Sequence, residues 1–127
     1  FNQHPGPLPD FGGQGMYGRR VHAAILIYRR LSKTEPYTEA VAQRVHEEFD
    51  EGSVVKSQRV TIISSDTVHG LQQRVLPVEH KLQIELLKEI ASGNIQEELP
   101  RQSIVSLDNR QYLLLARRIA RLLYPNG

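Results

Sequence analysis

The 127-residue sequence contains no cysteine, no tryptophan and a single methionine. Without cysteine there can be no disulfide, no thiolate zinc ligand and no thiol nucleophile, and this absence favours an intracellular protein, cytoplasmic or nuclear. Long apolar runs are also missing, since the longest, VHAAILIY and YLLLA, are far shorter than the roughly 20 residues that span a bilayer. The composition therefore predicts a chain without a membrane-spanning helix.

The charge is small in total but uneven along the chain. The net charge is +2, yet residues 1–33 carry five bases and one acid, and residues 99–127 carry the same. Residues 34–98 carry six bases and twelve acids. Two basic ends therefore flank an acidic centre, and arginine outnumbers lysine twelve to four.

Three prolines and five glycines lie in residues 1–18, which contain one charged residue before Arg19. This composition predicts an extended arm or linker, followed by a single helical domain over residues 19–127. Phe1, Leu8 and Phe11 are the side chains with which such an arm would dock into an apolar groove.

Apolar residues at spacings of three and four predict a helix over residues 18–33. Further apolar residues beside that stripe indicate that the helix is largely buried. His22, next to the stripe, is predicted to be a satisfied histidine, buried or at the edge, rather than a base. A second helix is predicted to begin with Thr38 as its N-cap and to end at Gly52.

Two more helices are predicted on either side of a proline. Residues 64–76 open with a Ser/Asp cap and stop before Pro77, and residues 77–92 follow with Pro77 in the first turn. The last helix is predicted over residues 108–123, ending before Pro125.

Only one region has the composition of a strand. Residues 58–63 are rich in β-branched side chains, and residues 102–107 are the candidate partner of a two-stranded ribbon. The predicted fold class is therefore mainly α, with about five helices around one core and at most a short two-stranded ribbon. A winged-helix-like arrangement is the alternative.

No pattern typical of an active site or a cofactor site is present. There is no GxSxG elbow, P-loop or dinucleotide fingerprint. His46 and Asp50 are spaced i, i+4 and could reach one metal ion from a helix, but no third ligand stands at a diagnostic spacing. These observations predict a protein that is not an enzyme, with no cofactor, no metal and no small-molecule substrate.

The last helix mixes apolar and basic side chains, and the first helix does the same. Leu113 and Leu114 on the last helix, with Leu26 and Ile27 on the first, are more apolar surface than one core contact uses. They predict an interface between subunits or with a partner. Eight arginines edge these helices and are predicted to bind a partner or phosphates: Arg19, Arg20, Arg29, Arg30, Arg110, Arg117, Arg118 and Arg121.

Two functional classes fit this pattern. The first is a non-enzymatic interaction domain that forms a homodimer or binds a partner peptide through apolar helix faces rimmed by arginine. The alternative is an RNA- or DNA-binding domain that uses the arginine patches. The small net charge favours the interaction domain, because surfaces that bind phosphate backbones carry a larger positive excess.

Overall fold

The computed structural model describes residues 1–45, 53–95 and 101–127. In chain order the elements are β1 (Asn2–His4), α1 (Arg19–Ser32), β2 (Tyr37–Gln43), β3 (Val54–Thr61), α2 (Val68–Ser92) and α3 (Arg110–Leu123), with a 3₁₀ turn at Leu107–Asn109 leading into α3.

Within the described ranges β2 is the central strand of a three-stranded sheet. It pairs antiparallel with β1 on one side and with β3 on the other. Val41 shows the arrangement well, since it lies opposite His4 of β1 and opposite Ser57 of β3. The register with β3 shifts between Ala42 and Gln43, which marks a bulge.

Both faces of β2 are covered, and this explains why the prediction of a helix beginning at Thr38 is wrong. Ala40 and Ala42 belong to apolar clusters that include residues of α2. Val41 contacts Leu8 on the opposite face. A strand buried on both faces has no alternation of polar and apolar residues to identify it. The later part of that predicted helix, residues 46–52, falls outside the described residues.

The mainly α fold class is therefore wrong, and so is the winged-helix alternative. The described chain has an α/β arrangement of a three-stranded sheet and three α-helices. The expected ribbon is also absent from the described residues: β3 pairs with β2, whereas residues 102–107 contain no strand.

Helix α1 is the centre of the core, in agreement with the prediction from its apolar residues. Val21, Ala24, Ile25 and Tyr28 are fully buried. The Tyr28 ring lies 5.5 Å from the ring of Phe11, centroid to centroid. Helix α3 packs against α1, and the alanines on its inner face allow a close approach of the two helices.

Helix α2 is a single helix of 25 residues that continues through Pro77. It begins at Thr67, whose hydroxyl accepts a hydrogen bond from the Gly70 backbone amide at 3.0 Å, and it ends at Gly93 in a left-handed conformation. Its buried side chains form one stripe that faces the sheet and α1: Leu71, Val75, Leu82 and Leu86. The predicted division into two helices at Pro77 is therefore wrong. The buried side chains keep their helical spacing across the proline, so one continuous helix buries all of them.

None of the helices described by the structure combines the length and the apolar character needed to cross a membrane.

Candidate active site

A cavity of about 700 Å³ lies where β1, the loop that precedes α1, the start of α1 and the middle of α2 meet. This is the size range of small-molecule sites in proteins. Its wall contains main chain from a glycine-rich loop, which we call the glycine loop and define as residues 10–18. Polar side chains from three elements also line it: Asn2, Gln3 and His4 of β1, His22 of α1, and Gln72, Gln73 and Glu79 of α2.

His4 is held by a defined hydrogen bond. The side chain is 3% exposed, and Nε2 lies 2.8 Å from the carbonyl oxygen of Phe11 in the glycine loop. A carbonyl oxygen can only accept, so Nε2 must carry the proton. In the neutral ring Nδ1 is then the basic nitrogen, and this is the atom through which His4 can accept a proton.

Asn2 accompanies His4. The two residues are separated by one position in β1, so their side chains project from the same face of the strand. Asn2 is exposed, whereas His4 is buried. A carboxamide donor and a protonatable imidazole therefore lie next to each other at the cavity wall.

His22 contributes a second imidazole from α1. It is 2% exposed, and its Nδ1 has no hydrogen-bond partner among the described residues. Burial and, to a smaller extent, the nearby charge of His4 together lower the pKa of His22 from 6.5 to about 4. His22 is therefore neutral at pH 7, and His4 can take a proton without a second cation beside it.

Helix α2 also lines the cavity. Glu79 is partly buried there, and this burial raises the pKa of its carboxyl group, against the opposing effect of His80. Gln72 lies two turns earlier on the same helix. Together they offer acceptors and donors to a ligand in the cavity.

The docking residues predicted for the N-terminal segment have different environments. Leu8 and Phe11 are 2% and 0% exposed and pack into this chain's own core. Phe1 is 47% exposed and lies under the Arg44 guanidinium, 5.1 Å from ring centroid to Cζ. The segment can lie against α1 because Gly6 has no side chain: a Cβ there would be 2.4 Å from Cγ1 of Val21.

The predicted interface residues are also divided. Leu26 and Leu113 are each 3% exposed and belong to the main core cluster, and Ile27 packs partly buried against it. Leu114 is 57% exposed. The surplus of apolar surface inferred from these four residues is thus largely enclosed within the single chain.

Most of the eight predicted arginines bind this chain's own main chain. Six donate hydrogen bonds to backbone carbonyls: Arg19, Arg20, Arg29, Arg30, Arg117 and Arg121. Arg110 and Arg118 are both exposed on α3. Their predicted role toward a partner or phosphate is not tested by these contacts.

Sequence reasoning missed Asn2, His4 and Glu79 as site residues. The available signal was NQH, in which two polar, chemically capable side chains alternate around one residue, as on one face of a strand. For metal, the described residues contain no group of three potential ligands, and His46 with Asp50 lies outside them.

Comparison with known proteins identifies the class to which this fold and site belong. A family model described as formyl transferase matches residues 1–87. Over 96 residues the chain is 38% identical to the chloroplastic phosphoribosylglycinamide formyltransferase of Arabidopsis thaliana, which covers 76% of this chain and 31% of that protein. The chain therefore belongs to the formyl transferase family.

Solved structures agree. The phosphoribosylglycinamide formyltransferase of Streptococcus pneumoniae superposes with a TM-score of 0.53 at 25% identity, covering 70% of this chain and 44% of that one. The formyltransferase PseJ of Anoxybacillus kamchatkensis, solved with a formamido sugar nucleotide and tetrahydrofolate, gives 0.60 at 22% identity, covering 90% and 56%. The second likeness supports the fold alone. This chain spans about a third of the length of its curated relatives, 31% and 29% for two plant enzymes.

These findings correct the functional predictions. The non-enzymatic interaction domain is wrong, and so is the nucleic-acid alternative, because the family and its named members are formyltransferases. The expectation of no small-molecule substrate is wrong for the same reason. The sequence pattern was misleading because many of the apolar and basic side chains on these helices make contacts within the chain, which a helical pattern does not distinguish from contacts with a partner.

Proposed function

We propose that this chain carries the transfer site of a formyltransferase that moves a formyl group from a formyltetrahydrofolate to the amine of phosphoribosylglycinamide. The relative of 38% identity bears that acceptor in its name. The solved sugar formyltransferase WlaRD was crystallised with 5-N-formyl-THF, which supports a folate donor for the family. The observation that carries the proposal is the buried His4, held by Phe11 at the wall of a cavity of about 700 Å³ and inside the matched residues 1–87.

The reaction requires a proton to change places. The acceptor amine attacks the formyl carbon, whose carbonyl oxygen becomes an oxyanion in a tetrahedral intermediate. The bond from carbon to the donor nitrogen then breaks. The acceptor nitrogen loses one proton and the donor nitrogen gains one, so a nearby group that first accepts and then gives a proton lowers the barrier.

His4 and Asn2 suit these two requirements. The Nε2–H bond to Phe11 fixes the ring of His4 and leaves proton exchange to Nδ1. The carboxamide of Asn2, on the same face of β1, can donate a hydrogen bond to the oxyanion. Glu79, which also lines the cavity, can accept hydrogen bonds from hydroxyl or amine groups of a substrate.

The cavity fits a folate donor in size and chemistry. A volume of about 700 Å³ accepts a ligand of that class, and Met16, Tyr17 and Leu76 provide apolar surface beside the amides. Catalysis would then come from the side chains of β1, and binding from the glycine loop and α2.

The test follows a labelled formyl group by mass spectrometry. The 127-residue chain is incubated with formyl-labelled formyltetrahydrofolate and, in separate arms, with phosphoribosylglycinamide, an amino sugar nucleotide and methionyl-tRNA. We expect label on phosphoribosylglycinamide and at least about a 100-fold lower rate for His4→Gln, the loss typical of a general acid–base group. His69→Gln, an exposed histidine of α2, is the matched control and should keep the wild-type rate.

Two results would contradict the proposal. If label appears only on one of the other amines, the acceptor is wrong and formyl transfer stands. If wild type transfers label to none of them, or if His4→Gln is as active as wild type, the assignment of this site is wrong. An intracellular location is part of the same proposal, and the plant relatives are named as chloroplastic.

A further inference from the structure

Six consecutive carbonyl groups of the glycine loop each accept a hydrogen bond. The carbonyl of Phe11 accepts from His4, and that of Gly13 accepts from the amide of Met16 at 3.1 Å. The other four accept from arginine side chains: Asp10, Gly12, Gln14 and Gly15. The main chain of this loop is thus held mainly by guanidinium groups.

Arg117 of α3 is central to this arrangement. Its Nη1 donates to the carbonyl of Asp10 at 2.7 Å and to the carbonyl of Gly12 at 2.8 Å. These two carbonyls flank that of Phe11, which binds His4. Arg117 therefore fixes the main chain on both sides of the acceptor that orients the candidate catalytic imidazole.

Two further arginines continue the contact along the loop. Nη2 of Arg121 donates to Gln14 O at 2.6 Å, and Nη1 of Arg20 donates to Gly15 O at 2.9 Å. Arg20 also donates to the carbonyls of Tyr124 and Pro125, at 2.7 and 2.6 Å. The segment after α3 and the glycine loop are in this way bound to the same side chain.

The loop is also anchored near its ends, where the Asp10 carboxylate accepts hydrogen bonds from Ser103 and the buried side chains of Phe11 and Met16 pack into the core. Between these anchors Gly13 and Gly15 have φ values of 95° and 80°, a left-handed region that glycine enters freely, and such residues gain much freedom when released. The arginine donors therefore act mainly on this glycine-containing stretch.

Holding two guanidinium groups here has an electrostatic cost. The pKa of Arg117 is lowered by burial and, to a smaller extent, by the neighbouring charges of Arg121 and Arg110, while Asp10 opposes the shift. Helix α3 has no acidic residue to relieve this repulsion. The loop carbonyls that accept from Arg117 and Arg121 offset part of this cost.

We propose that Arg117, Arg121 and Arg20 are positioning residues that hold the glycine loop, and through Phe11 the ring of His4, in the geometry of the transfer site. Helix α3 lies outside the family match of residues 1–87, so this chain supplies the support of its site from a segment that the family pattern does not include. The role of His4 in transfer rests on the proposed function. The binding of the glycine loop by these three arginines, which we call the arginine clamp, can be tested without it.

The test measures amide hydrogen exchange and the tautomer of His4. In Arg117→Met, and separately in Arg121→Met, we expect the amide of Met16, whose bond closes within the loop, to exchange at least about tenfold faster than in wild type. Nitrogen NMR should show one neutral tautomer of His4 in wild type, with the proton on Nε2. In Arg117→Met it should show a mixture of the Nε2–H and Nδ1–H tautomers. Arg117→Lys should restore part of the protection of the Met16 amide and part of the preference of His4 for the Nε2–H tautomer. The reason is that one ammonium group can reach the carbonyl of Asp10 or that of Gly12.

Arg118→Met is the matched control, since this exposed arginine lies on the same helix. It should leave loop exchange and the His4 tautomer as in wild type. Amides of β2 should keep wild-type protection in every variant, which shows that the fold is intact. If Arg117→Met unfolds the chain, Arg121→Met, which removes a bond at the exposed surface, decides the question.

Three outcomes would contradict the arginine clamp. The Met16 amide could exchange at the wild-type rate in both variants, or the amides of β2 could be accelerated as much as those of the loop. The His4 tautomer could also stay unchanged when Arg117 is replaced. Both measurements use the free protein, so a failure to detect formyl transfer would contradict the proposed function and leave this result untouched.

Discussion

His4 and His22 show how one residue type takes two roles through its surroundings. Both rings are almost fully buried at the same cavity. His4 has a carbonyl acceptor that fixes its tautomer, whereas Nδ1 of His22 has no partner in the described part of the chain. The unpartnered ring is held neutral by burial, and so the pair carries at most one charge at physiological pH.

The low pKa of His22 predicts a specific acid sensitivity. A histidine titrates near pH 6.5 when unfolded and near pH 4 here, so the unfolded state binds the proton first as the pH falls. The contribution to stability is complete above pH 6.5 and is lost progressively down to about pH 4, by about 3 kcal/mol in total. Urea unfolding at pH 7 and pH 4.5 should therefore show a markedly smaller loss of stability in His22→Gln than in wild type.

His69→Gln serves as the comparison, because His69 is exposed on α2. It should lose as much stability on acidification as wild type does. An equal loss in His22→Gln and wild type would mean that His22 is already accessible to protons in the folded state.

For single residues, the sequence predicted which side chains are buried better than it predicted which side chains line the candidate site. His22 was expected to be a satisfied histidine, buried or at the edge of the apolar stripe of α1. It is buried, but its Nδ1 has no hydrogen-bond partner among the described residues. The role of His4 could not be predicted, because its position depends on Phe11 accepting a hydrogen bond across seven residues in a loop with no regular period. The arginines were visible, but their acceptors are main-chain carbonyls, which every residue has.

At the scale of secondary-structure elements, α1 and α3 were predicted at the positions where the structure has them. The central strand β2 was predicted as part of a helix. α1 and α3 begin and end within two residues of the expected bounds. β2 has Thr38, Ala40 and Ala42 on one face and Glu39, Val41 and Gln43 on the other. All six are buried, so no alternation of polar and apolar residues marks the strand. Only pairing with β1 and β3 distinguishes the two structures, and pairing is not encoded locally.

Pro77 in α2 provides the clearest test of an element. It lies exposed in the interior of a continuous helix, where it removes the hydrogen bond that residue 77 would donate to the carbonyl of residue 73. We expect Pro77→Ala to stabilise the protein by about 1–2 kcal/mol, because the gain of a helical bond exceeds the added freedom of the unfolded chain.

Chemical unfolding followed by circular dichroism measures this change. His80→Ala, an exposed substitution one turn later on the same helix, should alter stability by less than about 0.5 kcal/mol. A lower unfolding midpoint for Pro77→Ala would show that the proline sets a helix geometry on which the packing of Leu82 and Leu86 depends.

At the scale of the whole molecule, the uneven charge has a structural explanation. The basic residues of the two chain ends meet in the fold, where Arg20, Arg117 and Arg121 bind carbonyls of the glycine loop. In the acidic middle of the sequence, the buried Glu39 of β2 forms an ion pair with the partly buried Arg101. The charge pattern that suggested a partner is thus used in large part to hold one chain together.

The function could not be predicted from the sequence alone, for a physical reason. The cavity is built from four separate parts of the chain, β1, the glycine loop, α1 and α2, and none of them carries a motif whose chemistry is evident by itself. The comparisons supply the family, which local patterns do not indicate.

The most direct test of the account is a titration of the uniformly ¹⁵N-labelled chain with 5-formyltetrahydrofolate, followed by amide NMR. We predict saturable shifts at the residues that line the cavity, in β1, in Gly13–Gly18 and around Gln72–Glu79 of α2, with no comparable shifts on the exposed face of α3. Shifts confined to other surfaces, or none at saturating ligand, would contradict the assignment of this cavity as the formyl-transfer site.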